Sequence, residues 1–143
     1  MKFRSVVIYA LIALFFAGVL VQAQGALEIR AASNTAVAGW QQMTAPGGEV
    51  IWVSATTALT TADIARGEPR TDANGQGTVG VVFTADGARK MAQLSKAQTN
   101  RPIVLLLDGK VVWAPIVRGT IEKEALLSGV TPDVVKRVLT SLK

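Results

Sequence analysis

IVLLLDGKVVWAPIV, residues Ile103 to Val117, sets two apolar runs rich in β-branched residues on either side of Asp108-Gly109. A two-residue type I′ turn needs φ > 0 at both central positions, and Asp-Gly supplies it. The spacing therefore predicts a β-hairpin turning at Asp108 and Gly109. Both are structural turn residues in this reading, and nothing in the stretch can carry catalysis.

Upstream, Asn100-Arg101-Pro102 closes a helix predicted over Ala85 to about Gln98. Thr84 is its N-cap, Asp86 favours the helix dipole, and Ala88, Met91, Ala92 and Leu94 form a modest apolar face. Downstream, Thr131 caps a second helix with Pro132 in its first position and Asp133 in its first turn. Val134, Val135, Val138, Leu139 and Leu142 then recur at helical spacing.

Nearer the N-terminus, Leu27 to Ala31 alternates as a half-buried strand does, and Glu49 to Ser54 also reads as a strand. Ser33 to Gly48 reads as a loop broken by Pro46-Gly47-Gly48. Thr60 and Asp63 form a weak capping box for a short helix from Thr61 to about Arg66. Thr78 to Phe83 is a strand, and Arg66 to Thr71 is its weaker hairpin partner across the turn Asp72 to Gly75. Hairpin-linked strands with helices to cover them predict an α+β fold, an antiparallel hairpin-built sheet with helices packed on one face.

The chain has 143 residues and neither cysteine nor histidine. Lys2 and Arg4 precede an apolar run, Val6 to Val21, that ends at Val21-Gln22-Ala23. This layout predicts a signal peptide over residues 1–23, cleaved after Ala23. The alternative is an uncleaved inner-membrane anchor over residues 5–21, although the run is short for a span of about 20 residues. Either reading puts residues 24–143, one domain, in the periplasm or otherwise outside the cytoplasm. Without disulfides that domain depends on its apolar core.

Removal of Lys2 and Arg4 leaves thirteen basic against ten acidic side chains, about +3. The charges are scattered. Arg89-Lys90 and Lys136-Arg137 read as solvated helix faces, so no nucleic-acid partner is expected.

Gly75 to Gly80 matches G-x-G-x-x-G letter for letter. A turn precedes it and a strand follows it, the wrong context for a dinucleotide, so it reads as a hairpin turn. With no histidine and no S-x-x-K, the usual general base and the common serine mechanisms are missing. Asp63, Asp86 and Asp133 fall at helix starts, where capping explains them. The expectation is a non-enzyme without cofactor or metal.

Of three tryptophans, Trp52 reads as core. Trp40 reads as either a lid on the core or an exposed anchor. Trp113 lies in a strand apolar on both faces, so parity does not place it.

From about Leu59 onward the chain resembles the head subdomain of the first periplasmic domain of SecD/SecDF, the membrane component that assists Sec-dependent protein export. The residues that carry the resemblance are Leu59-Thr60-Thr61-Ala62-Asp63-Ile64, Val82-Phe83-Thr84, Gly87-Ala88-Arg89-Lys90 and Asn100-Arg101-Pro102. Leu107 to Val112, Ala114-Pro115 and Ser128-Gly129 continue it, over roughly 80 residues in all. The resemblance implies an α+β head that moves relative to a base and contacts polypeptide leaving the channel. It does not extend to the family's six-helix, proton-coupled membrane region, since the chain has one apolar segment.

Glu122-Lys123-Glu124 stands where small residues are common in the family. Trp113 stands where a small polar residue is usual, which implies an exposed ring there. Trp113, with Trp40, is thus the candidate protein contact. The resulting reading is an exported protein-interaction domain whose partners are exported chains or Sec components. It touches membrane only through an uncleaved N-terminal segment. The alternative is a periplasmic small-molecule or envelope-ligand binder, with a pocket near Trp40 and Met43.

Overall fold

The computed structural model describes residues 26–143. The segment read as signal peptide or anchor lies outside the described residues. Among the described residues no helix is long and apolar enough to cross a membrane.

The predicted hairpin is present. β7 (Ile103–Leu107) and β8 (Lys110–Trp113) are joined by Asp108 at φ 52° and Gly109 at φ 83°, the left-handed pair a type I′ turn demands. Asp108 has a second task. Its Oδ1 accepts the Ala26 N–H at 3.2 Å, and its own N–H donates to the Ala26 carbonyl at 3.0 Å. The turn thereby fastens the start of β1 (Leu27–Ser33) alongside β7.

The α+β class holds, with the strands divided between two antiparallel sheets. The larger runs β2 (Gln41–Thr44), β3 (Val50–Val53), β1, β7, β8, and β4 (Leu59–Thr60) also pairs with β1. β1 changes partner along its length. Glu28 and Ile29 face β4, while Ala32 and Ser33 face β3. Between them the chain bulges out over Ser54 to Ala58. Arg30 fastens the bulge by donating to the Ser54 carbonyl at 3.1 Å, and Thr57 by donating to Glu28 at 2.7 Å.

The smaller sheet is β5 (Ile64–Thr71), β6 (Gly77–Phe83) and β9 (Glu124–Leu126). α1 (Ala85–Ala97) and α2 (Pro132–Ser141) carry the caps read from sequence: Thr84 accepts from Gly87 N–H at 3.0 Å, and Thr131 from Val134 N–H at 3.3 Å.

The main core lies between the sheets and the helices. Leu27, Ile29, Leu105 and Leu107 meet Val79, Val81, Phe83, Met91 and Val138. A second core covers the other face of the large sheet, where Val104 and Leu106 pack with Ala32, Ala45, Ile51 and Val53. β7 is therefore buried on both faces along its whole length.

Four readings change. The loop assigned to residues 33–48 contains β2, whose Gln-Gln-Met-Thr lacks the β-branched run that marks a strand. The helix expected over residues 61–66 is a 3₁₀ turn at Thr61–Asp63 running straight into β5, because pairing with β6 overrides the local preference. Its capping box is intact, with Thr60 N–H donating to Asp63 Oδ2 at 3.0 Å. β9 occupies a stretch given no element from sequence. Finally, the predicted face of α1 is wider than the sequence marked: Met91, Ala88 and Leu94 pack on the main core as expected, and Gly87, Ser95 and, at the C-cap, Gln98 are buried beside them. Gly87 is required there, since a Cβ would stand 2.1 Å from the Asp63 carbonyl oxygen.

Candidate functional site

Three carboxylates, those of Asp63, Glu28 and Glu68, are held by neighbouring cations. Asp63 is 6 % exposed; it accepts Lys90 Nζ at 2.9 Å and the Thr60 N–H. The Lys90 bond, helped by that N–H, outweighs burial and holds its carboxyl below the ordinary range. Burial would raise Glu28, but the Thr57 hydroxyl and Arg30 more than offset it, and its carboxyl is also depressed. Glu68 is held down by Arg66 first and Arg70 second. Among the described residues no three His, Cys, Asp or Glu side chains come together as a metal site.

What the fold does build is a groove. α2 crosses the inner face of the β5–β6 hairpin at Gly67. A Cβ there would lie 2.9 Å from Leu142 Cδ1 and 3.4 Å from Leu139 Cδ2, so glycine lets the helix settle close to the strand. Alongside the contact opens a groove of about 700 Å³. Pro69, Val135, Leu139 and Leu142 give it apolar walls, and Arg70, Lys136 and Lys143 stand along it. Glu124 grips Arg70 in a bidentate pair at 2.8 and 3.1 Å, and Glu68 adds a third contact at 2.8 Å. Lys136 and Lys143 form no ion pair among the described residues.

This groove was not read from the sequence. Its signal was present in Gly67 and Pro69, two residues that weaken a strand interior and mark close approach or an edge.

The tryptophans lie elsewhere than expected. Trp113 is 9 % exposed and belongs to the main core, and its indole N–H donates to the Ser128 carbonyl at 3.0 Å. The exposure anticipated for it is corrected. A register shift beside Leu105 and Leu106 inserts Val112 as an extra residue, so Trp113 faces Leu105 and turns inward. The indole walls a smaller hollow of about 340 Å³, with Pro46, Pro115 and Val130 around it.

Trp52, read as core, is half-buried on the other side of β3 from Ile51 and Val53, opposite Gln42 and Ser33. Trp40 is half-buried and lines a separate cleft against Pro102 and Gln98. The sites of Trp40, Trp113 and the α2 groove are thus distinct. Asp108 and Gly109 form the turn assigned to them.

Comparison with known proteins agrees with this architecture. The family model described as the SecDF P1 head subdomain matches residues 38–134. The protein translocase subunit SecD of Acidaminococcus fermentans is 43 % identical over 61 residues, 43 % of this chain and 15 % of that protein. The protein translocase subunit SecDF of Thermus thermophilus is 31 % identical over 74 residues, 51 % of this chain and 10 % of that protein. The chain therefore spans only a small part of the length of these relatives.

Among solved structures, one of a membrane component SecDF that enhances protein export superposes with a TM-score of 0.63 at 20 % identity. It covers 82 % of this chain and 61 % of the other. SecDF in a super-membrane-facing form gives a TM-score of 0.64 at 20 % identity, over 82 % and 18 % of the two chains. At that identity the likeness speaks for the fold.

Proposed function

The chain belongs to the SecDF P1 head subdomain family, and on that premise we propose that it is a non-enzymatic, exported domain that contacts polypeptide during Sec-dependent protein export. The observation that carries the reading is the groove beside α2. It is open and apolar-walled, with Lys136 and Lys143 at its rim and unpaired among the described residues, and an apolar groove that takes side chains is one of the ways an extended or helical peptide is held. Absence of histidine and cysteine from the whole sequence supports the non-enzymatic part. Trp113 serves as scaffold, fixing the hollow ahead of α2.

Photo-crosslinking tests the reading. A benzophenone side chain at Lys136, on the groove rim, is expected to capture translocating chains or Sec components in living cells. The same probe at Glu122, away from the groove, is expected to capture far less. Leu139→Ser should reduce capture from position 136. Equal capture from both positions, or none from either, would remove the groove from the account. The cleft at Trp40 favours a second reading, an envelope-ligand site.

A further inference from the structure

We propose that the cleft beside Trp40 is a binding site for a neutral oligosaccharide. The cleft holds about 470 Å³, within the range of small-molecule sites. It lies against the start of the loop after β1 and the segment that joins α1 to β7, away from the α2 groove. The Trp40 ring and Pro102 give it apolar surface. Asn34, Thr35, Asn100 and Gln98 supply amides and a hydroxyl, and no carboxylate lines it.

Gln98 points to a ligand. It is 6 % exposed. Its Nε2 donates to the carbonyls of Ala32 at 2.9 Å and Pro102 at 2.8 Å, which fixes the orientation of the amide. Its Oε1 therefore takes neither of these bonds, and it accepts no hydrogen bond among those formed by the described residues. A buried amide oxygen left unsatisfied is costly, and a donor from outside the protein would relieve it. The side chains of Asn34 and Asn100 are exposed and make no hydrogen bond within the described residues, so their amides are open to a ligand.

A sugar matches this lining group by group. Its polarised C–H face suits the negative face of an indole, and its hydroxyls both donate and accept, as an amide oxygen and amide N–H groups require. With Arg101 the one charged lining residue, nothing calls for a strongly ionic ligand. A polypeptide is the poorer fit. The polar groups here are separate side chains, whereas an extended peptide is held by a row of main-chain groups along a sheet edge or by side-chain pockets in an apolar groove.

The test is a titration of the full chain, held in dodecylphosphocholine micelles, which carry no sugar headgroup. Chitotetraose and maltotetraose are added separately while the Trp40 indole and Gln98 amide signals are followed by NMR. Saturable shifts of both signals with either sugar are expected. Trp40→Ala should weaken binding about ten-fold, with the melting temperature unchanged. Asn100→Gly is the second variant. Asn100 sits at φ 65°, which glycine adopts without strain, so the fold is kept while the amide is lost, and binding should again weaken. The proposal is overturned if neither sugar moves these signals at millimolar concentration, or if binding survives both substitutions. It is equally overturned if an unstructured peptide moves the signals and the sugars do not. Loss of polypeptide crosslinking at Lys136 would leave this result unaffected, so the two readings fail separately.

Discussion

At position 80 a single methyl group would sit 1.7 Å from Glu124 Oε2, because the Glu124 carboxylate lies across β6 to reach Arg70 on β5. Gly80→Ala should therefore expel Glu124, with a stability loss of about 1–3 kcal/mol by urea denaturation. In a Glu124→Ala background the same substitution should cost much less, and an undiminished cost would point to backbone strain instead.

Trp113 gives the opposite case, a large side chain with no freedom. Trp113→Ala removes a core ring and strands the Ser128 carbonyl, with an expected loss of about 3–5 kcal/mol. A melting temperature within a degree or two of wild type would contradict that burial.

Asp63 makes a prediction in pH. Its carboxyl is depressed in the folded chain, so its stabilising effect is complete above the unfolded value of about 3.9 and is lost as pH falls through the folded value. Asp63→Asn should lower stability at neutral pH and flatten the acid limb of the stability curve. An acid limb as steep as wild type would transfer the effect to other carboxylates.

Among the elements, the β7–β8 hairpin and α2 were the most legible, and for physical reasons. Asp-Gly between β-branched runs and Thr-Pro-Asp before an apolar repeat each leave few other conformations open. Gly109→Ala should destabilise by about 1–2 kcal/mol, since φ 83° strains any side chain, whereas Asp108→Asn should cost less. Equal effects in a thermal melt would mean the turn does not set the hairpin.

Elements that depend on distant partners were less legible. β2 and β9 are strands because β3 and β6 pair with them, not because Gln41–Thr44 or Glu124–Leu126 favour extension. Trp113 and Trp52 were placed on the wrong sides for related reasons. The first turns inward through a bulge that no periodicity reports, and the second lies in a strand whose buried parity belongs to Ile51 and Val53. The binding surfaces were hidden more deeply still. The Trp40 cleft depends on bringing residues 34–40 against residues 98–102, and Met43, expected beside Trp40, packs on the second core instead.

For the whole molecule, β7 joins two cores that would otherwise be separate. Leu106→Ala, in the smaller core, is expected to cost about 2–5 kcal/mol and to lower one common transition rather than splitting it. Hydrogen exchange offers the complementary check. The β7 amides should be the slowest in the chain, with the β2 edge far faster, and comparable protection at both would show that the second core adds little.

The position of β1 has a mechanical consequence. It is bonded along one side to β7 and along the other to β4 and β3, and Asp108 moors Ala26, the residue just before it. Its hydrogen bonds run across the strand direction. Tension applied from residue 26 along the strand axis would stretch these bonds together, in shear, instead of unzipping them singly. A domain tethered from that end would hold its shape under a steady pull, while the α2 groove and the Trp40 cleft, neither built on the residues at the tether, stayed open.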